Sequence, residues 1–152
     1  MPNKPDNKEI VSASLRLLAA RDMSRAEFVR KLAAKEFAAK DIEMAADWCA
    51  SEGWLNEARF AENTARRLGA KYGANRVAQT MRQKGVTEEL ISGGMAALKE
   101  TEGARAKEVW ARKFHALPSG GAEQAKQSRY LATRGFSFDT IRQLFKDLKE
   151  NA

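Results

Sequence analysis

The sequence contains few of the residues that interrupt helices or support metal and redox chemistry. Its 152 residues include three prolines, at positions 2, 5 and 118, which leaves the stretch from Asp6 to Leu117 free to be helical. The single cysteine, Cys49, cannot form a disulfide within the chain, so a buried thiol is the simplest interpretation. The single histidine, His115, belongs to no Cys/His pattern with the spacing of a zinc site.

Patterns typical of membrane proteins and of common enzyme classes are missing as well. No segment approaches the roughly 18 consecutive apolar residues that a membrane span requires, and the polar start lacks the apolar stretch of a signal peptide. There is no Walker loop, no dinucleotide-binding glycine pattern and no compact set of carboxylates suited to a two-metal nuclease. We therefore expect a cytoplasmic protein that is not an enzyme and that holds no cofactor or metal.

The composition indicates a helical protein with an anionic partner. Hydrophobic residues make up 43% and charged residues 31%, the mean hydropathy is -0.56, and the net charge is +7. A charge of this size bears on partners rather than on the fold, and it favours nucleic acid first and an anionic membrane surface second. Alanine, leucine, lysine, arginine, glutamate and glutamine dominate, and all of them favour helices.

Glycines and capping residues divide the chain into about nine predicted helices. Their ranges are 8–21, 25–35, 39–52, 56–68, 75–84, 88–98, 102–115, 122–134 and 138–150. The expected N-caps are Ser24, Asn75, Thr87 and Ser137. Ser24 and Glu27 have the spacing of a reciprocal capping box. The helix 88–98 contains Gly93-Gly94, which costs roughly 2 kcal/mol relative to alanine, so we expect that helix to be short or kinked.

A short pattern recurs three times at a nearly constant interval. It has an apolar residue, two others, a basic residue, Gly or Glu, and an apolar residue, followed five positions later by isoleucine. Its copies are Leu32–Phe37 with Ile42, Met81–Val86 with Ile91, and Leu131–Phe136 with Ile141. Because a further helix precedes each copy, the pattern predicts an all-α fold, an elongated, curved array of three tandem three-helix repeats. The predicted domains are 1–53, with a short frayed N-terminus, 54–101 and 102–152.

The recurring pattern is explained by a tight turn between two helices. A glycine just after the helix end adopts a left-handed conformation, which brings Met81 against Val86 and Leu131 against Phe136. The basic residue before the glycine lies at the negative end of the helix dipole. The first copy has Glu36 in place of glycine, at a cost of about 1 kcal/mol for a left-handed residue, so its turn is expected to differ.

Positive charge is concentrated in two parts of the chain. Residues 54–84 carry seven basic and two acidic residues, and residues 104–152 carry ten basic and five acidic residues. These residues fit a track for phosphates or for an acidic protein surface, and equally the solvated faces of ordinary helices. Tyr72, between Lys71 and Gly73, is the best candidate for an exposed base-stacking or interface ring, whereas most other aromatic residues have the spacing of a core.

Three motifs occur in order along nearly the whole chain. They are Arg21-Asp-Met-Ser24-Arg-Ala-Glu27-Phe28 with Lys31-Leu32, then Leu55-Asn56-Glu57-Ala58-Arg59-Phe60-Ala61 with Tyr72-Gly73-Ala74-Asn75-Arg76-Val77 and Lys84-Gly85-Val86, then Ser128-Arg129-Tyr130-Leu131-Ala132-Thr133-Arg134-Gly135-Phe136-Ser137. Together they resemble the RecX family, bacterial regulators of the RecA recombinase. The chain has Asn56-Glu57 where the family usually has Asp-rich residues, and an N-cap role survives with Asn56.

The resemblance implies three tandem three-helix units and binding in the groove of the RecA–single-stranded-DNA filament. Such proteins modulate strand exchange, ATP hydrolysis and coprotease activity of RecA, usually as inhibitors. The expected partners are the RecA nucleoprotein filament and single- or double-stranded DNA, with the protein itself a monomer. The residues expected to contact them are Arg59, Arg66, Arg67, Lys71, Tyr72, Arg76, Arg82, Lys84, Lys126, Arg129, Arg134, Arg25, Arg30 and Lys31.

Two alternatives remain open at the level of the sequence. A stand-alone basic helical DNA- or RNA-binding module would bind naked nucleic acid with comparable affinity and lose it steeply with salt. A helical-repeat scaffold for an acidic protein would not require DNA at all. A protein that binds in the filament groove should instead prefer the assembled filament to either of its components.

Overall fold

The protein, described over residues 1–152 by a computed structural model, consists of eight α-helices without a β-strand. The helices are α1 (Lys8–Ala20), α2 (Arg25–Ala34), α3 (Ala39–Ser51), α4 (Glu57–Gly69), α5 (Ala74–Gln83), α6 (Glu88–Lys113), α7 (Gly121–Thr133) and α8 (Phe138–Glu150). The predicted all-α fold is confirmed. No helix is both long enough and apolar enough to span a bilayer.

The predicted break between helices 88–98 and 102–115 is absent, because α6 continues from Glu88 to Lys113. Gly93 and Gly103 lie inside this helix, and neither has a neighbouring atom within 4 Å of the place where a β-carbon would stand. The Gly93-Gly94 pair costs about 2 kcal/mol and Gly103 about 1 kcal/mol relative to alanine, which is too little to end a helix that contains no proline. The prediction of a separate short helix at 88–98 is therefore wrong.

The chain forms two compact units, one made of residues 1–62 and 81–91 and the other of residues 63–80 and 92–152. The core of the first unit includes the buried side chains of Phe28, Leu32 and Ile42. Cys49 is also buried there, as expected, and burial raises the pKa of its thiol to about 11, with a contribution from Glu52.

The core of the second unit is built on the third copy of the recurring pattern. Leu131, Phe136 and Ile141, the three apolar positions of that copy, are buried together with Trp110 of α6. The indole N–H of Trp110 donates to the side-chain oxygen of the buried Gln127, at 2.7 Å, so the polar atom of this large ring is satisfied inside the core.

The turns encoded by the recurring pattern have the predicted geometry. Gly85 and Gly135 have φ of 82° and 96°, and the amide of the following residue donates to a carbonyl five positions back, Val86 to Met81 and Phe136 to Leu131. Glu36 also has a left-handed φ, 67°, but the amide of Phe37 does not donate to the carbonyl of Leu32, so the hydrogen bond that closes the other two turns is missing from the first. The first turn therefore differs from the other two in this hydrogen bond, as expected, although residue 36 shares their left-handed conformation.

Three of the four predicted N-caps are found, and the fourth is not. The hydroxyls of Ser24, Thr87 and Ser137 each accept a backbone N–H three residues further along. Asn75 lies inside α5, which begins at Ala74, so its predicted capping role is wrong. Only half of the predicted capping box forms: Ser24 caps the amide of Glu27, but the carboxylate of Glu27 pairs with Arg21 instead.

Candidate nucleic-acid interface

Two of the motifs, separated by about 60 residues in the sequence, meet at a pair of glycines in the second unit. Gly73 ends the connection between α4 and α5, and Gly135 lies in the turn between α7 and α8. The amide of Gly73 donates to the carbonyl of Arg134 at 2.8 Å, and the amide of Asn75 donates to the carbonyl of Gly135 at 3.3 Å. A β-carbon on Gly73 would overlap the backbone of residues 135 and 136, so the two turns pack backbone against backbone.

Two side chains of helix α6, Glu102 and Arg105, stabilise this glycine contact by hydrogen bonds. The buried carboxylate of Glu102 accepts the amide of Ala74 at 2.8 Å and the hydroxyl of Thr140 at 2.6 Å, and so joins the starts of α5 and α8. Arg105 donates to the carbonyls of Gly69 and Tyr72, both at 2.8 Å. Burial lowers the pKa of the Arg105 guanidinium, and the nearby Glu102 carboxylate opposes that shift.

The glycine contact brings cations and aromatic rings from three helices and their turns into one cluster. The Arg76 guanidinium lies 4.0 Å from the centre of the Tyr72 ring, and that of Arg134 lies 5.5 Å from the same centre. Arg134 also lies 5.1 Å from the centre of the Tyr130 ring, and the ammonium of Lys113 lies 5.5 Å from the same centre. We call these five residues the arginine–tyrosine ladder. Cation–π contacts hold the charges in place without neutralising them.

The cations of the ladder have no acidic partner. Ion pairs occur elsewhere in the chain, but none of them includes Arg76, Arg134 or Lys113. Arg76 is exposed and makes one long hydrogen bond, 3.4 Å, to the carbonyl of Thr133. Unpaired guanidiniums fixed at a surface are suited to phosphate or carboxylate oxygens, which they can contact with two N–H groups at once.

The first unit contains a junction of the same construction with different chemistry. Ser24 donates through its hydroxyl to the carbonyl of Lys84 at 2.5 Å, and the amide of Arg25 donates to the carboxylate of Glu57 at 2.7 Å. The turn glycine, Gly85, packs against Ala26, where a β-carbon would come within 2.5 Å of the alanine methyl. Both junctions therefore combine a helix start, a carbonyl just before a turn glycine, and a carboxylate from a leading helix.

The buried carboxylate at the first junction forms an ion pair, unlike the cations of the ladder. Glu27 is buried there and pairs with Arg21. Burial acts to raise the pKa of Glu27, but the hydrogen bond and charge of Arg21 outweigh it and the pKa is lowered overall. The first junction therefore serves the packing of the fold, whereas the second presents unpaired positive charge.

Three of the contact residues predicted from the sequence form ion pairs within the first unit. Arg59 contacts both carboxylate oxygens of Asp22, at 2.8 to 3.1 Å, and also the carbonyls of Gly53 and Trp54. Arg25 pairs with Glu43 and Asp47, and Arg82 with Glu88. These arginines are engaged in the fold, and contact with a partner would compete with those ion pairs.

The remaining predicted residues lie at the surface outside these ion pairs. Arg66, Arg67, Lys71, Lys126, Arg129 and Arg30 are exposed, while Lys31 and Lys84 are partly buried. Tyr72 is partly buried, and its ring already has two guanidiniums over it. A ring in that position is better placed to orient the arginines than to stack on a base.

The sequence interpretation missed Tyr130, Lys113, Glu102 and Arg105 as parts of this site. Tyr130 is one of the aromatic residues whose spacing predicts a core position, and it does pack edge-on against Phe114 at 5.5 Å between ring centres. The roles of Glu102 and Arg105 depend on contacts with residues 28 to 38 positions away, which no local pattern encodes. No three His, Cys, Asp or Glu side chains are grouped so that they could hold a metal ion.

Comparison with known proteins identifies the family. Residues 12–49, 56–95 and 100–145 match, in this order, the first, second and third three-helix domains of RecX. The chain belongs to the RecX family. The regulatory protein RecX of Leptothrix cholodnii is 38% identical over 133 residues, covering 88% of this chain and 85% of that protein. The regulatory protein RecX of Chromobacterium violaceum is 37% identical over 139 residues, covering 91% and 90%.

The fold agrees with that of RecX crystal structures. The crystal structure of RecX from Lactobacillus salivarius superposes with a TM-score of 0.81 at 19% identity, covering 91% of this chain and 93% of that one. A second RecX crystal structure gives a TM-score of 0.78 at 20% identity. These matches confirm the predicted all-α fold built from three-helix repeats, and the predicted domain boundaries 1–53, 54–101 and 102–152 stay a prediction. The two glycines whose contact brings the ladder residues together lie in matched RecX domains, Gly73 in the second and Gly135 in the third.

Proposed function

We propose that this protein regulates RecA by binding the RecA–single-stranded-DNA filament, and that it lowers filament activity when bound. Membership of the RecX family supports regulation, and the arginine–tyrosine ladder supports an anionic partner. The observation on which the proposal mainly rests is the convergence of two family motifs, one around Tyr72 and one around Arg134, on a surface whose cations are unpaired.

The ladder is better suited to the backbone of a nucleic acid than to its bases. The Tyr72 ring, which would be the platform for a base, is partly buried and contacts Arg76 and Arg134. Guanidiniums read phosphate charge without regard to sequence, and phosphate contacts position a protein on the strand. Binding through the ladder should therefore be insensitive to DNA sequence and sensitive to salt.

The test compares three ligands, namely preformed RecA filament, naked single-stranded DNA and RecA alone, by fluorescence anisotropy of labelled protein. We expect the filament to bind most tightly. The double variant Arg76→Gln with Arg134→Gln should weaken filament binding at least tenfold, since a hydrogen bond to a charged group contributes about 1.5 kcal/mol or more. Loss of two phosphate contacts should also reduce the slope of log affinity against log salt by about 1.4.

Arg142→Gln provides the matched control. Arg142 lies in the same unit, is well exposed and pairs only with Asp139, so its substitution removes charge without touching the ladder. We expect this variant to bind nearly as the wild type does. Equal affinity for naked DNA and filament would replace the proposal with a stand-alone nucleic-acid-binding module. Equal weakening by Arg142→Gln would mean that net charge, rather than the ladder, determines binding.

A further inference from the structure

The two internal junctions share one geometry, in which a helix start packs on a turn. The first repeat has a corresponding turn on which no helix start packs. At each junction a helix start docks on the turn that ends with a basic residue and glycine, Lys84-Gly85 or Arg134-Gly135. The glycine is required by space as well as by its positive φ, because a β-carbon would meet Ala26 in one case and Arg76 in the other. The corresponding turn of the first repeat is Lys35-Glu36, and no helix start donates a hydrogen bond to it.

The surface around the Lys35-Glu36 turn has the other features of a docking edge. An open groove of about 520 Å³ beside it is lined by Lys8, Glu9, Ser12, Ala13, Arg16, Lys35 and Phe37. Glu9 lies near the start of α1, as Glu57 and Glu102 lie near the starts of their repeats, and its carboxylate is exposed. Lys35 occupies the position whose carbonyl accepts the hydrogen bond in both internal junctions.

The complementary half of the junction is present in the third repeat. The helix start that corresponds to Ser24-Arg25 and Gly73-Ala74 is Gly120-Gly121, at the beginning of α7. Both glycines are exposed, neither has a neighbour within 4 Å of its β-carbon position, and no side chain caps the helix. The amides at this end are therefore available, and small residues allow close approach of another backbone.

We propose that the groove beside Lys35-Glu36 matches the start of α7 of a second copy, so that two chains would join end to end there, and that Glu36 prevents this docking. A β-carbon in the left-handed position stands where the docking helix start would have to lie, as the internal junctions show for Gly85 and Gly135. Glu36 keeps this conformation despite its unfavourable φ, and its side chain makes no hydrogen bond or ion pair that would offset the strain. The repeats can thus stack within one chain while separate chains remain apart.

The test substitutes Glu36 in two ways and measures mass by sedimentation equilibrium over a wide range of protein concentration. Glu36→Gly removes both the β-carbon and the charge, whereas Glu36→Ala removes the charge but keeps the β-carbon. We expect the glycine variant to associate, with a mass that rises above 16.9 kDa as concentration increases, while the wild type and the alanine variant stay at 16.9 kDa. Adding Gly120→Val to the glycine variant should return it to 16.9 kDa, because Gly73, at the corresponding position, has no space for a β-carbon.

Three outcomes would overturn the proposal. The glycine variant could remain at 16.9 kDa at every concentration, which would mean that the edge is not complementary to α7. The alanine variant could associate as strongly as the glycine variant, which would assign the effect to charge. Association of the wild type to the same extent as the glycine variant would show that Glu36 does not prevent docking.

Discussion

At the scale of single residues, Gly135 meets two demands that no other amino acid satisfies together. Its φ of 96° is left-handed, and a β-carbon would collide with the Arg76 backbone nitrogen at 2.7 Å. We expect Gly135→Ala to lower the free energy of unfolding by roughly 2 to 4 kcal/mol, adding the left-handed penalty to the cost of overpacking. Urea unfolding followed by circular dichroism measures this change.

Gly120→Ala is the control for that substitution. Gly120 is extended, with φ of 165°, and has open space around it, so alanine there should change the free energy of unfolding by less than about 0.5 kcal/mol. If the two variants unfolded at the same urea concentration, the backbone contact between Gly73 and Gly135 would not be the feature that holds the ladder together.

At the scale of elements, α6 shows how local signals can be outweighed. Gly93 suggested a short or kinked helix and Gly103 a helix end, yet both lie inside one 26-residue helix, and neither has an atom within 4 Å of its β-carbon position. We therefore expect Gly93→Ala and Gly103→Ala each to raise the free energy of unfolding by about 1 kcal/mol, with additive effects, since the positions are ten residues apart. Thermal unfolding of both single variants and the double variant tests this prediction. Destabilisation by either alanine would indicate that α6 needs a flexible point there.

The turns were predictable because their signals are local, and the ladder was not because its contacts are distant. The left-handed glycines, the caps at Ser24 and Ser137 and the contact of Leu131 with Phe136 all depend on residues within a few positions of each other. In contrast, Arg76 and Arg134 are 58 positions apart, and only packing of the two turns reveals that they share the Tyr72 ring. Charge density in the sequence also gave Arg59 the same weight as Arg76, although Arg59 forms an ion pair with Asp22 and Arg76 forms none.

At the scale of the whole molecule, the distribution of paired and unpaired charge carries more information than the net charge of +7. In the first unit Arg25, Arg59 and Arg82 have carboxylate partners, whereas the ladder arginines of the second unit have none. Exposed ion pairs contribute little to stability, typically below about 1 kcal/mol, but they remove charge from the surface that a polyanion meets. The proposed function therefore assigns contact with nucleic acid to the second unit first.

The most direct test of this account is the rate of single-strand-dependent ATP hydrolysis by RecA, titrated with the protein at two salt concentrations and with competitor DNA present. We expect the wild type and Arg142→Gln to lower the rate at far less than one copy per RecA, and Arg76→Gln with Arg134→Gln to do so only at much higher concentration. The contradictory result would be no effect of the wild type, or an effect that needs saturating protein and disappears with competitor DNA.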